Sequence, residues 1–283
     1  MSVPPPPSSA ELRRLVLAVS VLDELDLLPT DEGVVLPGIV PVEASWLDLR
    51  RALNGADPES RSGRLRVTQW LRGRRIAADI HPEHLRAQAR PLGLPVDHPL
   101  HPGLDWVRHR VLGGVIDLGF GFAGVGTDPD EVVLIPQTAL DAAGIDPAPW
   151  WPVARDYLER MGTLAVQRLA SNPLLRPIGD CDVVTLLCSR NLRGALVAQD
   201  GTGMRAAAVP MRRRGWLDPT RIDPAFTAAA AAATDPADRG FPRPVLLTVD
   251  EVGLAPAGGN PAEIVLRDPA VVADGTLRPV LYR

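Results

Sequence analysis

Pro91, Pro95, Pro99 and Pro102 stand close together in the first half of the chain, and no other feature constrains the fold as strongly. Each proline holds φ at about −65° and removes a backbone N–H, which disrupts helix interiors and central strands. The cluster is the best-marked boundary along the sequence. It separates a mainly helical N-terminal subdomain, residues 9–95, from a mixed α/β subdomain, residues 96–283. Residues 1–8 read as a flexible proline-rich tail. A second cluster, Pro147, Pro149 and Pro152, brackets Trp150-Trp151.

Local signals fill in the elements. Ser8 and Glu11 form a capping box that opens a helix over about 9–27. Val34 to Leu36 reads as a strand. Ser45 caps a helix that Asn54-Gly55 stops. Ser62 to Ile80 forms the next helix, and His81-Pro82 starts a short one. Pro102 is expected to open a helix that ends at Gly113-Gly114. Val115 to Val125 alternates small and apolar residues and predicts tightly approached strands. Helices follow over Thr138–Ala143 and Val153–Leu169.

In the last hundred residues, Val183 to Leu187 reads as a strand, Leu192 to Ala198 as a helix and Arg205 to Pro210 as a strand. An alanine-rich helix begins at Asp223-Pro224, and a further strand covers Val245 to Val249. This alternation predicts a three-strand parallel element with antiparallel additions. The fold class is therefore mixed α/β of the α+β kind: a helical N-terminal part, then an α/β part with a small mixed sheet. Asp31 to Pro37 resembles Asp130 to Pro136 in pattern, but two instances do not make a repeat architecture.

Hydrophobic residues make up 46% of the chain and charged residues 23%, which excludes extended disorder. The 30 basic residues are all arginine. A chain without lysine cannot build a P-loop, nor a pyridoxal-phosphate or other Schiff-base site. The net charge of −4 argues against a general polyanion binder, so nucleic acid is not the expected partner. Cys181 and Cys188 lie in one apolar run. If that run is extended, they stand roughly 23 Å apart and cannot bond. Unpaired cysteines point to a reducing cytoplasm. The N-terminus lacks a signal-peptide pattern, and no run suits a membrane span, so no membrane partner is expected.

Three groups of residues could carry chemistry. All five histidines, His81, His84, His98, His101 and His109, fall in one short stretch. On the expected helix, His101, Asp105 and His109 repeat at i, i+4, i+8 and share one face. With His98 they would form a ligand set for a divalent transition metal such as zinc, iron or manganese. In a metal-free version, His109 is the general base and Asp105 its orienter. The plainer reading makes these capping and turn histidines.

The second group is Arg61, Arg64, Arg72 and Arg75, aligned on one face of the Ser62–Ile80 helix, where they could follow a phosphate backbone. The plainer reading is a solvated face. The third comprises isolated features: Cys188 at a strand end, the Gly119-Phe-Gly121 run and Arg212-Arg213-Arg214 beyond a strand. Close backbone packing accounts for the glycines. No convincing catalytic constellation emerges, which favours a non-enzymatic binding or regulatory protein. The alternatives are a hydrolase-like small-molecule enzyme using the His/Asp cluster and a nucleic-acid binder using the arginine face.

Overall fold

The computed structural model describes residues 7–126, 132–169, 174–199, 202–217, 235–255, 265–267 and 279–281. The chain forms two compact units, and each is assembled from three segments. Met1–Pro91, Pro99–Arg108 and Gly119–Arg155 make the first. Leu92–His98, His109–Leu118 and Asp156–Arg283 make the second. The first junction falls at the proline cluster, but the chain crosses between units four more times.

In the first unit, helix α1 (Ser9–Leu22) starts at a complete Ser8/Glu11 capping box. It stops at Asp23, short of the expected residue 27, because Leu28–Pro29 forms strand β1. Strands β2 (Gly33–Leu36) and β3 (Val42–Ser45) complete an antiparallel sheet in the order β1-β2-β3. Gly33 is required there, since a Cβ would stand 2.0 Å from the Ala44 carbonyl oxygen. Ser45 then caps α2 (Trp46–Leu53), which ends at Asn54 in the left-handed conformation. Ser60 caps α3 (Arg61–Asp79), and His81 caps α4 (Pro82–Gln88) through Nδ1.

The inner stripe of α3, including Val67, Trp70, Leu71 and Ala78, packs with Leu12, Val16, Leu36 and Leu49 in the core. Each such large side chain contributes roughly 1.5–3 kcal/mol by leaving water. Strand β4 (Ala89–Pro95) carries Pro91 and Pro95 within its span. Strands β5 (Arg108–Leu112), β6 (Ile116–Ala123) and β7 (Val132–Val133) follow. The order is β4-β6-β5, and β7 pairs with β6. Helix α5 (Gln137–Ala142) and the start of α6 (Trp151–Leu169) close the first unit.

The second unit holds most of α6, then α7 (Val183–Leu187) and α8 (Arg190–Ala198). Its sheet runs β12-β11-β9-β10-β8, from β8 (Leu174–Leu175), β9 (Arg205–Met211), β10 (Arg214–Trp216), β11 (Val245–Leu247) and β12 (Val252–Leu254). Strands β13 (Val265–Arg267) and β14 (Pro279–Leu281) pair as a ribbon. The protein is mixed α+β, as the sequence indicates. Among the described residues, no helix is long and apolar enough to cross a membrane.

Four expectations need correction. First, every pairing in the five-stranded sheet is antiparallel, so the parallel element does not form. Short hairpins join β9 to β10 and β11 to β12, and a hairpin can join only antiparallel neighbours. Second, the strand expected at Val34 to Leu36 is one of three, since β1 and β3 pair with it inside the mainly helical N-terminal part.

Third, Val183 to Leu187 is helix α7 rather than a strand. Asp182 caps it by accepting from the Thr185 N–H (2.7 Å), and Arg212 holds Asp182 in place at 2.6 Å. Fourth, the helix expected after Pro102 is replaced by turns and strand β5. Gly103, at φ +69°, turns the chain, and its N–H donates to His101 Nδ1 (3.0 Å). Trp106 then donates from Nε1 to the Phe120 carbonyl (2.8 Å). The proline-rich tail before Pro7, the helix expected from Asp223 and the start of the Asp130 motif lie outside the described residues.

Candidate functional site

Asp105 is the best-connected of the candidate residues. It is 8% exposed and reaches α5, where it accepts from the Thr138 N–H (2.9 Å) and hydroxyl (3.0 Å). Arg74 Nη2 lies 3.6 Å from its carboxylate and also donates to Thr138 Oγ1. The Arg74 side chain is 1% exposed and its guanidinium sits 4.1 Å from the centre of the Trp70 ring. Burial pulls the guanidinium pKa down to about 10, against the attraction of Asp105 and Asp48. Both carboxylate oxygens are therefore engaged in joining α3, the 99–108 segment and α5.

This network backs a cleft of about 620 Å³. Helix α2 and the turn after it supply Asp48, Arg50, Arg51, Asn54 and Gly55. The 103–108 turn supplies Gly103, Leu104, Asp105 and Arg108, and α5 supplies Gln137 and Thr138. Its volume lies within the ~300–1,000 Å³ typical of small-molecule sites. Three arginines face two carboxylates, and both carboxylates already serve the fold. Asp48 accepts from the Ser45 N–H (3.3 Å) and hydroxyl (2.7 Å) in the cap of α2. Arg51 remains 63% exposed beside Asp48, at 3.4 Å. Arg50 is steadied by Pro7 O and Ser9 Oγ. Leu104, 89% exposed, adds an apolar edge.

The candidate ligands are divided between the two units. His101 and Asp105 belong to the first unit, while His98 and His109 belong to the second. His98 and His101 are buried; His81, His84 and His109 are exposed. With the helix after Pro102 absent, the i, i+4, i+8 stack that would have aligned His101, Asp105 and His109 does not form. Among the described residues, no histidine lines the 620 Å³ cleft. Among the described residues, no group of three or more His, Cys, Asp or Glu could hold a metal ion. His101 instead closes a turn and packs edge-on against Trp106.

The arginines of α3 are largely paired. Arg64 meets Glu59 at 3.2 Å, Arg72 meets Asp23 at 3.6 Å, and Arg75 pairs with Asp79 while donating to Pro37 O. Arg61 is exposed at the head of the helix. Exposed pairs of this kind are worth only about 0–1 kcal/mol each, but they offset the positive charge of the row.

The remaining features take structural roles. Arg212 lies in the β9–β10 turn and binds Asp182, and Arg214 stacks on Trp216 at 5.0 Å. Cys181 and Cys188 are free and buried, on either side of α7 rather than along an extended run. Burial pushes the Cys188 thiol up to about 12, which removes it as a nucleophile at neutral pH. Gly119 lies under Trp106, whose ring would stand 2.3 Å from a Cβ there, so the glycine run serves close packing.

The sequence reading passed over Arg74, Thr138, Arg51 and Arg108. The signal for Arg74 was present, because it sits one turn after Trp70 on the apolar stripe of α3. Thr138, Arg51 and Arg108 carry no local signal, since only the fold brings them together. Comparison of the chain with protein-family models, with curated proteins and with solved structures finds no match.

Proposed function

We propose that this is a non-enzymatic binding protein that takes a small organic anion in the cleft between α2, the 103–108 turn and α5. The observation that carries this reading is the charge arrangement of that cleft. Arg50, Arg51 and Arg108 line it, and the two carboxylates present are committed to capping α2 and to holding Arg74 and Thr138. Arginine forks bind carboxylate and phosphate groups through paired N–H donors. Leu104 would cover an apolar portion of the ligand. The engagement of both Asp105 oxygens supports a positioning role for this residue rather than proton transfer.

The test is calorimetric titration of the protein with a panel of small carboxylates and phosphate esters. Binding that weakens at least tenfold in Arg51→Glu, with the ligand recovered unchanged, is the expected result. A panel without a single binder, binding indifferent to Arg51→Glu, or turnover of the ligand would each overturn the reading.

A further inference from the structure

Arg66, Trp70 and Arg74 occupy successive i, i+4 positions of α3 and so rise in a column on one side of the helix. Trp70 is 2% exposed and Arg74 is fully buried. Four N–H groups in this column are shielded from water with no hydrogen-bond acceptor among the described residues: Arg66 Nε, Trp70 Nε1, Arg74 Nε and Arg74 Nη1. Each unmet buried donor is destabilising by about 1–3 kcal/mol, so such a concentration calls for an acceptor.

The charges point the same way. Arg66 donates from Nη1 to the carbonyls of Ala52 (3.2 Å) and His101 (3.0 Å), both of which are neutral partners. Asp105 lies in an ion pair with Arg74. Arg74 thus has Asp105 beside it and is further attracted by Asp48, whereas the partners of Arg66 are neutral carbonyls. Burial lowers the pKa of both guanidinium groups, and Asp105 and Asp48 oppose the shift at Arg74. Beside the column lies a cavity of about 30 Å³ whose wall includes Arg66, Gln69, Trp70 and Asp105, with Leu100 and Leu134 apolar. One water needs about 10–15 Å³ by this measure, so the space suits one small ion or two waters and nothing larger.

We propose that this cavity is a site for a small monovalent anion of the halide class, chloride in practice, which accepts hydrogen bonds from Trp70 Nε1–H and Arg66 Nε–H. The narrow space favours a monatomic anion over an organic one. A water pair could accept the same donors but would leave the Arg66 charge uncompensated. The Asp105 carboxylate shares the wall, yet its oxygens are turned to Thr138 and Arg74. The site shares Asp105 with the proposed ligand cleft and otherwise has its own walls, and its occupant strengthens the inner side of α3.

Two experiments on the full chain test it. The melting temperature is followed as sodium chloride replaces sodium gluconate at constant ionic strength. A saturable rise of a few degrees is expected, and Trp70→Phe, which keeps the ring and deletes only the N–H, abolishes it. Crystals grown in sodium bromide are expected to show an anomalous scattering peak in the cavity. This second measurement stands even if Trp70→Phe fails to fold. An unchanged melting temperature, a full chloride response in a folded Trp70→Phe protein, or water in place of bromide would overturn the proposal.

Discussion

Replacing Asp105 with alanine deletes an acceptor that three donors use: the Thr138 N–H at 2.9 Å, the Thr138 hydroxyl at 3.0 Å and Arg74 at 3.6 Å. Arg74 would then keep its charge at 1% side-chain exposure with Thr138 Oγ1 as its remaining acceptor. Removing one partner of a buried pair costs about 3–5 kcal/mol, and the orphaned Thr138 N–H adds about 1 kcal/mol. At about 3 °C per kcal/mol, the expected loss is roughly 12–18 °C in melting temperature.

Arg74→Met should cost far less, because Asp105 keeps both Thr138 bonds while two unmet donors and a buried charge disappear. Adding Arg74→Met to Asp105→Ala should therefore restore about 2 kcal/mol instead of subtracting more. Urea unfolding followed by tryptophan fluorescence reads this well, since Trp46, Trp70, Trp106, Trp150 and Trp151 all lie in the first unit. Asp105→Ala within about 1 kcal/mol of the wild type, or simple addition of the two losses, would refute the assignment of Asp105 and Arg74 as a coupled pair.

Glu159 accepts from Ser189 Oγ (2.8 Å) and from the Arg190 and Asn191 N–H groups (3.0 and 2.9 Å), so Glu159→Ala should cost about 2 kcal/mol by uncapping α8. Urea denaturation checks this, and an unchanged midpoint would count against the cap. Gly119→Ala should destabilise by about 1–3 kcal/mol, because the new methyl meets the Trp106 ring; a neutral result would mean the ring moves aside freely. The Cys188 thiol is raised from 9.0 to about 12, so the unfolded chain loses this proton first as pH rises. Its contribution to stability is therefore full below pH 9 and is lost between pH 9 and about 12. Alkaline unfolding of Cys188→Ala should lack that slope, and identical profiles would contradict it.

Much of the fold was readable where one residue makes a decision locally. Ser8, Ser45 and His81 each mark a helix start by bonding a backbone N–H within the next turn. Asn54 ends α2 because it accepts left-handed backbone. The reading failed where distant residues decide. Val183 to Leu187 is buried on every side, so it shows no polar period by which a helix could be told from a strand. Its helical start depends on Arg212 holding Asp182.

The segment after Pro102 has adequate helical spacing, but bonds from Asp105 to Thr138 and from Trp106 to Phe120 pull it into another shape. The candidate site shared this fate. Asp105 was identified on a helix that does not form, and its partners Arg74 and Thr138 lie far away in sequence. The arginine row of α3 was correctly placed outward, yet Asp23, which meets Arg72, belongs to a different element.

Synthesis runs from the N-terminus, and this imposes an order on the first unit. Arg74 precedes Thr138 by 64 residues. At a ribosomal rate of about 5–20 residues per second, the helix bearing Arg74 waits roughly 3–13 s for its hydroxyl partner to be made. Until Asp105 and Thr138 follow, its guanidinium lacks the carboxylate and the hydroxyl that it meets in the folded unit. Trp70 and Leu71 can already pack against α1 and α2, which are made earlier, so the Arg74 turn of α3 is the part that completes its burial last. The nascent chain thus carries an unmatched cation through a fixed window of translation, and the first unit cannot close around it until that window ends.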